Sequence, residues 1–309
     1  MDKVVISEFM DEAAVEDLRG SFDVIYDPTL VEDPDRLAQE LADADAIILR
    51  NRTQLRGPLL EAATALKAVG RLGVGLDNID LEACKARGIS VHPASGANDV
   101  CVTEYVIACA LALYRSAIFG RERMIAGEWP RQEMTGQELS DKCLGLVGFG
   151  SISRATAMRA RALGMEVAAF DPFVPADSPV WGETRRHEDL SQLMAEADVI
   201  SIHVPLTDET RHLIDANMLA KAKPEAILIN AARGGVVDEV ALVDALRAGK
   251  LHGAALDVFE TEPLTAEAGA KFNGIGNLIL TPHIAGLTGE ANIRVSALTV
   301  QNIRDALSG

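Results

Sequence analysis

The stretch LGLVGFGSISRATAMRARALGMEVAAFDP, residues 144–172, decides how the rest of the chain is read. It opens with an apolar β-type run, turns through two glycines, continues as a helix pattern and ends in a second apolar run closed by Asp171. Strand, glycine turn, helix, strand and acid in this register match the dinucleotide-binding fingerprint G-x-G-x-x-G, with Ser153 in the third glycine position. Gly148 permits the tight turn. Gly150 lets the backbone approach a pyrophosphate seated on the first N–H groups of the helix, at Ser151 and Ile152. The third position serves helix–strand packing, so a serine there is expected to loosen packing slightly and leave the site intact. Asp171 lies 21 residues after Gly150. An acid at that strand end accepts hydrogen bonds from ribose hydroxyls and repels a 2′-phosphate, and the following PFVPAD contains no Arg. NAD is therefore expected rather than NADP.

Outward from this unit, eleven short apolar runs recur, at 3–7, 23–27, 46–50, 68–72, 89–93, 143–148, 166–171, 199–204, 226–231, 253–258 and 278–282. They are continuous rather than alternating, the pattern of strands covered on both faces in a parallel sheet. Helix patterns lie between them, such as 35–44 and 238–250, the latter with Asp238 as N-cap and Gly249 at its end. The alternation predicts an α/β protein with two doubly wound, parallel-sheet, Rossmann-like domains. One series covers about 1–95 and the other about 140–283. A helical stretch at 99–117 separates them, and a helical tail at 289–307 follows the second and is expected to pack back on the first.

The 309 residues allow about two domains. The net charge of −17, from 29 Lys+Arg and 46 Asp+Glu, argues against nucleic acid as a partner. Cys84, Cys101, Cys109 and Cys143 form no C-x-x-C pair and are expected to be free buried thiols, with no metal site. MDKVVISEFMDEA carries acids where a secretory leader needs a basic region, and no apolar run reaches the length of a bilayer span. A cytoplasmic protein with no membrane partner is expected.

Three further stretches carry chemistry: INAARGGVVDE (229–239), ALDVFETEPL (255–264) and TPHIAG (281–286). Each begins as a strand and ends in polar residues, and the carboxyl ends of parallel strands line the ligand crevice of an open sheet. Arg233, Glu262 and His283 are therefore expected to converge. Arg233 suits a carboxylate and an adjacent carbonyl. His283 suits proton donation to that carbonyl oxygen, with Glu262 orienting the imidazole and favouring its protonated form.

These motifs in this order, with HVPLTDETRHLI (203–214) and VGRLGVGLDNIDLEACKARGISVHPASGAND (69–99), resemble the D-isomer-specific 2-hydroxyacid dehydrogenase family along nearly the whole chain, especially its phosphoglycerate dehydrogenase branch. The resemblance implies an NAD domain (99–284) inserted into a discontinuous substrate domain (1–98 with 285–309). It makes Arg233, Glu262 and His283 catalytic and puts Asp257 on the nicotinamide amide. Val74 and Gly75 become backbone donors to the substrate carboxylate. Thr103, His203, Pro205, Thr210, Ala231, Arg233, His283 and Gly286 become cofactor-lining. Related formate dehydrogenases carry a Gln where this chain has Glu262, so the acid points to a hydroxy acid. Many phosphoglycerate dehydrogenases carry a regulatory C-terminal module, which is not expected here.

Arg50 and Arg52 in ILRNRTQL (48–55), with Arg71, suggest a second anionic group on the substrate. The open alternative for these arginines is salt bridging to neighbouring acids. The first expectation is 3-sulfolactate, because RNRTQ resembles sulfolactate-specific members of the family. The second is 3-phosphoglycerate, and hydroxypyruvate or glyoxylate reduction is a further reading. An NADH-sensing binding protein is the competing class. The segment 119–139 resembles the family's subunit-wrapping arm, which implies a homodimer with Trp129 in its interface.

Overall fold

The computed structural model describes residues 1–116 and 118–308. Ala117, the last residue of the helical stretch read over 99–117, and Gly309 lie outside the described residues. The chain divides into two compact units, Met1–Asn98 with Gly286–Gly309, and Asp99–Ala285.

The first unit carries β1 (Lys3–Ile6), α1 (Glu12–Arg19), β2 (Asp23–Tyr26), α2 (Pro34–Leu41), β3 (Ala46–Leu49), α3 (Gly57–Ala62), β4 (Ala68–Arg71), α4 (Leu81–Ala86) and β5 (Ser90–Pro93). The sheet runs β2-β1-β3-β4-β5, all parallel. Successive strand side chains point to opposite faces. Val4, Ile6 and Ile48 accordingly pack with Leu18 of α1 and with Val295, Val300 and Ile303 of the C-terminal helix Gly289–Ser308. Val5, Ile47 and Leu49 face Leu37, Leu41, Leu60 and Cys84 of α2, α3 and α4. The first face is incomplete until the chain returns, because α1 alone leaves β4 uncovered. Arg294 Nε ties the returning helix to Ala97 O at 3.0 Å.

The second unit carries α5 (Asp99–Arg115), α6 (Arg121–Ile125), β6 (Cys143–Val147), α7 (Ser151–Ala162), β7 (Glu166–Phe170), β8 (Arg185–His187), α8 (Leu190–Glu196), β9 (Val199–Ile202), α9 (Ala216–Leu219), β10 (Ile227–Asn230), α10 (Glu239–Arg247), β11 (Gly253–Leu256), α11 (Ala266–Gly269) and β12 (Leu278–Leu280). Its parallel sheet runs β12-β11-β10-β9-β6-β7-β8, so the order reverses between β6 and β9. Leu144 and Leu146 face α5 and α7, while Cys143 and Val147 face α8 and α10. The carboxyl ends at this switch point form the crevice where a doubly wound sheet binds ligands. All four cysteines are buried and free. Among the described residues no helix is long and apolar enough to cross a membrane.

Every one of the eleven apolar runs is a strand, one or two residues shorter than read. The additional strand, β8, is Arg-Arg-His, with no apolar signature. It exists because it pairs with the free edge of β7.

The glycine turn is anchored by its middle residue. Phe149 is buried and stacks on Trp181, centroids 4.9 Å apart and planes 6° from parallel. Trp181 Nε1 donates to Pro175 O at 2.8 Å, fixing the loop that follows Asp171. Trp181→Ala is expected to destabilise the protein by about 3–5 kcal/mol, the range for truncating a buried large aromatic. Urea denaturation checks this, and a midpoint near that of the parent protein would refute the anchoring role.

Candidate active site

The geometry of residues 147–153 follows from a close backbone crossing. Gly148 has φ +90°, and a Cβ there would stand 2.7 Å from His203 O. A side chain is thus excluded by both conformation and space. α7 starts two residues on with Gly150 as N-cap and no side-chain cap, whereas Asp189, Asp215 and Asp238 cap α8, α9 and α10. A Cβ added at Gly150 would meet nothing within 4 Å. Uncapped N–H groups at Ser151 and Ile152 facing open space are what a pyrophosphate requires, so these residues fit the dinucleotide. Ser153 departs from the expected loosening. It is fully buried and its Oγ donates to Gly148 O at 2.8 Å, tying helix to turn. Thr103 is also fully buried, sharing a hydrogen bond with Thr156 Oγ1 at 3.1 Å. It braces α7 from beneath.

Asp171 is oriented by the same turn. Its Oδ2 accepts from Phe149 N at 2.8 Å and its Oδ1 from Phe173 N at 2.9 Å. A carboxylate has about four acceptor sites, so capacity remains for ribose hydroxyls. His203 follows β9 and hydrogen-bonds Ser201 Oγ through Nε2 at 2.8 Å. Burial pushes its pKa down to about 4, so the imidazole is neutral. Pro205 lies on the exposed loop that follows. Thr210 Oγ1 donates to Pro205 O at 2.6 Å and accepts from Thr207 N at 2.7 Å, so this hydroxyl closes its own turn.

β10 ends at Asn230, followed by Ala231 and Arg233, both partly exposed. Asn230 is buried; its Oδ1 accepts from Ala232 N at 3.1 Å and its Nδ2 donates to Arg233 O at 2.9 Å. This clamp fixes the backbone that carries the Arg233 guanidinium. Glu262 Oε1 accepts from Phe259 N at 2.9 Å, and its Oε2 lies 2.8 Å from His283 Nδ1. Burial alone would raise the Glu262 carboxyl. The His283 and Phe259 hydrogen bonds and the nearby Arg233 charge outweigh it and hold the carboxyl below the usual range. Glu262 is therefore ionised at neutral pH. His283 Nε2 has no hydrogen-bond partner among the described residues, and the side chain is 41% exposed.

Asp257 anchors the loop that carries His283. It is 1% exposed, and its carboxylate accepts from Thr281 Oγ1 at 2.5 Å, Ile284 N at 2.9 Å and Ala285 N at 2.8 Å. The turn at 281–285 points its donors inward, so Asp257 holds the histidine loop. Gly286 begins the return to the first unit.

In the first unit, Val74 and Gly75 lie on the loop after β4, with Val74 38% exposed. Arg71 Nη1 donates to Leu72 O at 2.9 Å. Arg50 stacks over Phe9 and hydrogen-bonds Asn292 through Nη2, with no ion pair among the described residues. Burial pulls its pKa down, partly offset by Glu8. Arg52, by contrast, pairs with Glu32 at 3.3 Å on the surface. The salt-bridge alternative thus applies to Arg52 and not to Arg50.

Two buried residues matter that sequence reasoning passed over. Glu8, 4% exposed, accepts from the backbone N–H of Arg50, Arg52 and Thr53 at 2.9, 3.2 and 2.9 Å. Glu239, 2% exposed, accepts from Glu260 N at 2.7 Å while Lys271 neutralises it. Their signal is an acid inside or beside an apolar run, which is costly unless it is paired or hydrogen-bonded. Asn230 had a similar signal, an amide closing a strand before a turn.

A seven-stranded switch-point sheet with a bare helix N-terminus, an acid at the next strand and an Arg–Glu–His set defines an NAD-dependent oxidoreductase. The model of the D-isomer specific 2-hydroxyacid dehydrogenase NAD binding domain matches residues 107–285. The chain is 53% identical over 307 residues to the (S)-sulfolactate dehydrogenase of Chromohalobacter salexigens, covering 99% of each chain. It is 38% identical to the D-3-phosphoglycerate dehydrogenase of Synechocystis, covering all of this chain and 55% of that one. The crystal structure of a glyoxylate reductase from Paecilomyes thermophila superposes with a TM-score of 0.86 at 29% identity, covering 99% of this chain and 95% of that one. The protein belongs to the D-isomer-specific 2-hydroxyacid dehydrogenase family.

The neutral His203 makes stability depend on pH. Its folded pKa is about 4, below the ordinary 6.5, so the unfolded chain binds a proton that the folded chain refuses as pH falls through 6.5. Its contribution is complete above pH 6.5 and declines toward pH 4. Urea unfolding at pH 7 and pH 5 is expected to differ by about 2 kcal/mol more in the parent protein than in His203→Gln. Equal pH slopes would show that His203 is not held neutral.

Proposed function

We propose that the protein interconverts 3-sulfolactate and 3-sulfopyruvate, drawing on NAD as the hydride acceptor and on NADH as the donor. The observation that carries the reading is the Glu262–His283 pair, with Nδ1 engaged by an ionised carboxylate and Nε2 open. His283 delivers a proton from Nε2 to the carbonyl oxygen of the oxo acid, and in the reverse direction removes it from the hydroxyl. Glu262 fixes the tautomer and stabilises the imidazolium. Arg233 binds the carboxylate and polarises the carbonyl. Ser151 and Ile152 N–H groups hold the pyrophosphate and Asp171 the ribose, whose 2′-phosphate form it repels.

The first unit is read as the substrate domain and the second as the NAD domain. Val74 and Gly75 bind the substrate carboxylate through backbone N–H groups. Arg50, a half-buried cation paired with a neutral Asn292, receives the second anion, with Arg71 beside the 72–75 loop. Sulfonate is preferred over phosphate because the relative that is 53% identical along its whole length is a sulfolactate dehydrogenase. Sulfur outranks carboxylate in naming, so the family's D arrangement is called S for sulfolactate.

We also infer a homodimer. Trp129, Ile125 and Ile118 are 77%, 66% and 55% exposed within residues 118–129, apolar side chains that suit contact with a second copy of this chain. Trp129→Ala is expected to raise the dimer dissociation constant, read by sedimentation; an unchanged constant removes Trp129 from the interface.

NADH oxidation against 3-sulfopyruvate, 3-phosphohydroxypyruvate, hydroxypyruvate and glyoxylate tests the substrate. The highest kcat/KM is expected with 3-sulfopyruvate, and a preference for hydroxypyruvate or glyoxylate would overturn the second-anion reading. His283→Ala is expected to lower kcat by ~10²–10⁴-fold with NADH binding retained. NADH binding without oxidation of any oxo acid would instead favour a sensor.

A further inference from the structure

Resting on the reading of His283 as the proton carrier, we propose that Tyr105 is a positioning residue for the reaction, acting on His283 through Thr281 and Asp257. Tyr105 lies on α5, 176 residues from Thr281 in sequence, and its hydroxyl stands 2.6 Å from Thr281 Oγ1. Thr281 Oγ1 in turn stands 2.5 Å from Asp257 Oδ1. The polarity of this chain follows from its end. Asp257 as a carboxylate only accepts, so Thr281 donates its one proton there, and Tyr105 must donate to Thr281. Burial raises the Tyr105 phenol far above its ordinary value, so it stays a donor at every working pH.

The far end of the chain is the histidine itself. Asp257 accepts Ile284 N and Ala285 N on its carboxylate, and its backbone carbonyl accepts His283 N at 2.8 Å. His283 is held at φ +56°, a left-handed backbone rare for a residue with a side chain. Such conformations persist where the surroundings over-determine them. The Asp257 carboxylate supplies two of these determinants, just after the histidine, and the Thr281 hydroxyl keeps that carboxylate aimed. Tyr105 removes the remaining freedom of the Thr281 hydroxyl, and hydrogen bonds in a buried series strengthen one another. None of the three side chains needs to touch substrate, so their loss acts on turnover rather than on binding.

Tyr105→Phe keeps the ring and deletes only the hydroxyl. It is expected to lower kcat about 3- to 10-fold, the range of one net hydrogen bond, with KM for NADH unchanged. Thr281→Val is expected to lower kcat at least as far, and Thr281→Ser, which keeps the hydroxyl, to restore most of it. Tyr105→Phe added to Thr281→Val is expected to cause no further loss, because the link is already cut. An additive double variant, or an unchanged kcat in Tyr105→Phe, overturns the inference. His283→Ala measured alongside separates the two readings. A large loss there with Tyr105→Phe unaffected removes only Tyr105, whereas no loss in His283→Ala removes the proton-carrier reading and this inference with it.

Discussion

The passage of the chain past His203 O at Gly148 is the constraint on which the dinucleotide site depends. β6 and β9 are neighbours at the point where the sheet order reverses, and their ends converge there. Only a residue with no Cβ fits there, because a Cβ would stand 2.7 Å from His203 O and the turn runs at φ +90°. Once it turns, α7 starts uncapped, and its N–H groups face the crevice. Phe149 on Trp181 and Ser153 on Gly148 O then lock the turn from both sides. The fingerprint is thus one packed object rather than three glycine positions, and a hydroxyl at the third position stabilises what a glycine elsewhere merely permits.

A second theme is the inward use of acids. Asp171, Asp257, Glu239 and Glu8 each accept backbone N–H groups from a loop that carries a site residue. Hydrogen bonds to a charged acceptor are stronger than neutral ones, so one buried carboxylate defines a loop that packing alone would leave loose. Part of the −17 net charge is therefore scaffolding rather than surface. The arrangement also lets a protein with few aromatics place its polar groups accurately, since each loop is held by two or three directed bonds.

The fold was legible in the sequence because its signals are local. Continuous apolar runs such as AIIL and CLGLV need both faces covered, and the cap at Asp238 announces its helix. β8 was not legible, since Arg-Arg-His becomes a strand only because β7 offers an unpaired edge. The direction of side chains was not legible either. Asp257 reads as an acid at a strand end, and only the fold brings to it the donors of the 281–285 turn, more than twenty residues away. Thr103 likewise meets Thr156 through a contact that sequence distance hides.

By itself the sequence determined the two parallel α/β series, the glycine turn with its acid, and the residue types able to move a proton and hold a carboxylate, because these follow from periodicity, conformation and ionisation. The tertiary structure alone decided which polar groups are consumed internally and which stay open. It seats Glu262 on His283 Nδ1, engages Arg52 with Glu32 while Arg50 hydrogen-bonds the neutral Asn292, and fixes the histidine loop on Asp257. The physical reason is that each hydrogen-bond acceptor has few sites, and only the folded chain determines which donors arrive first.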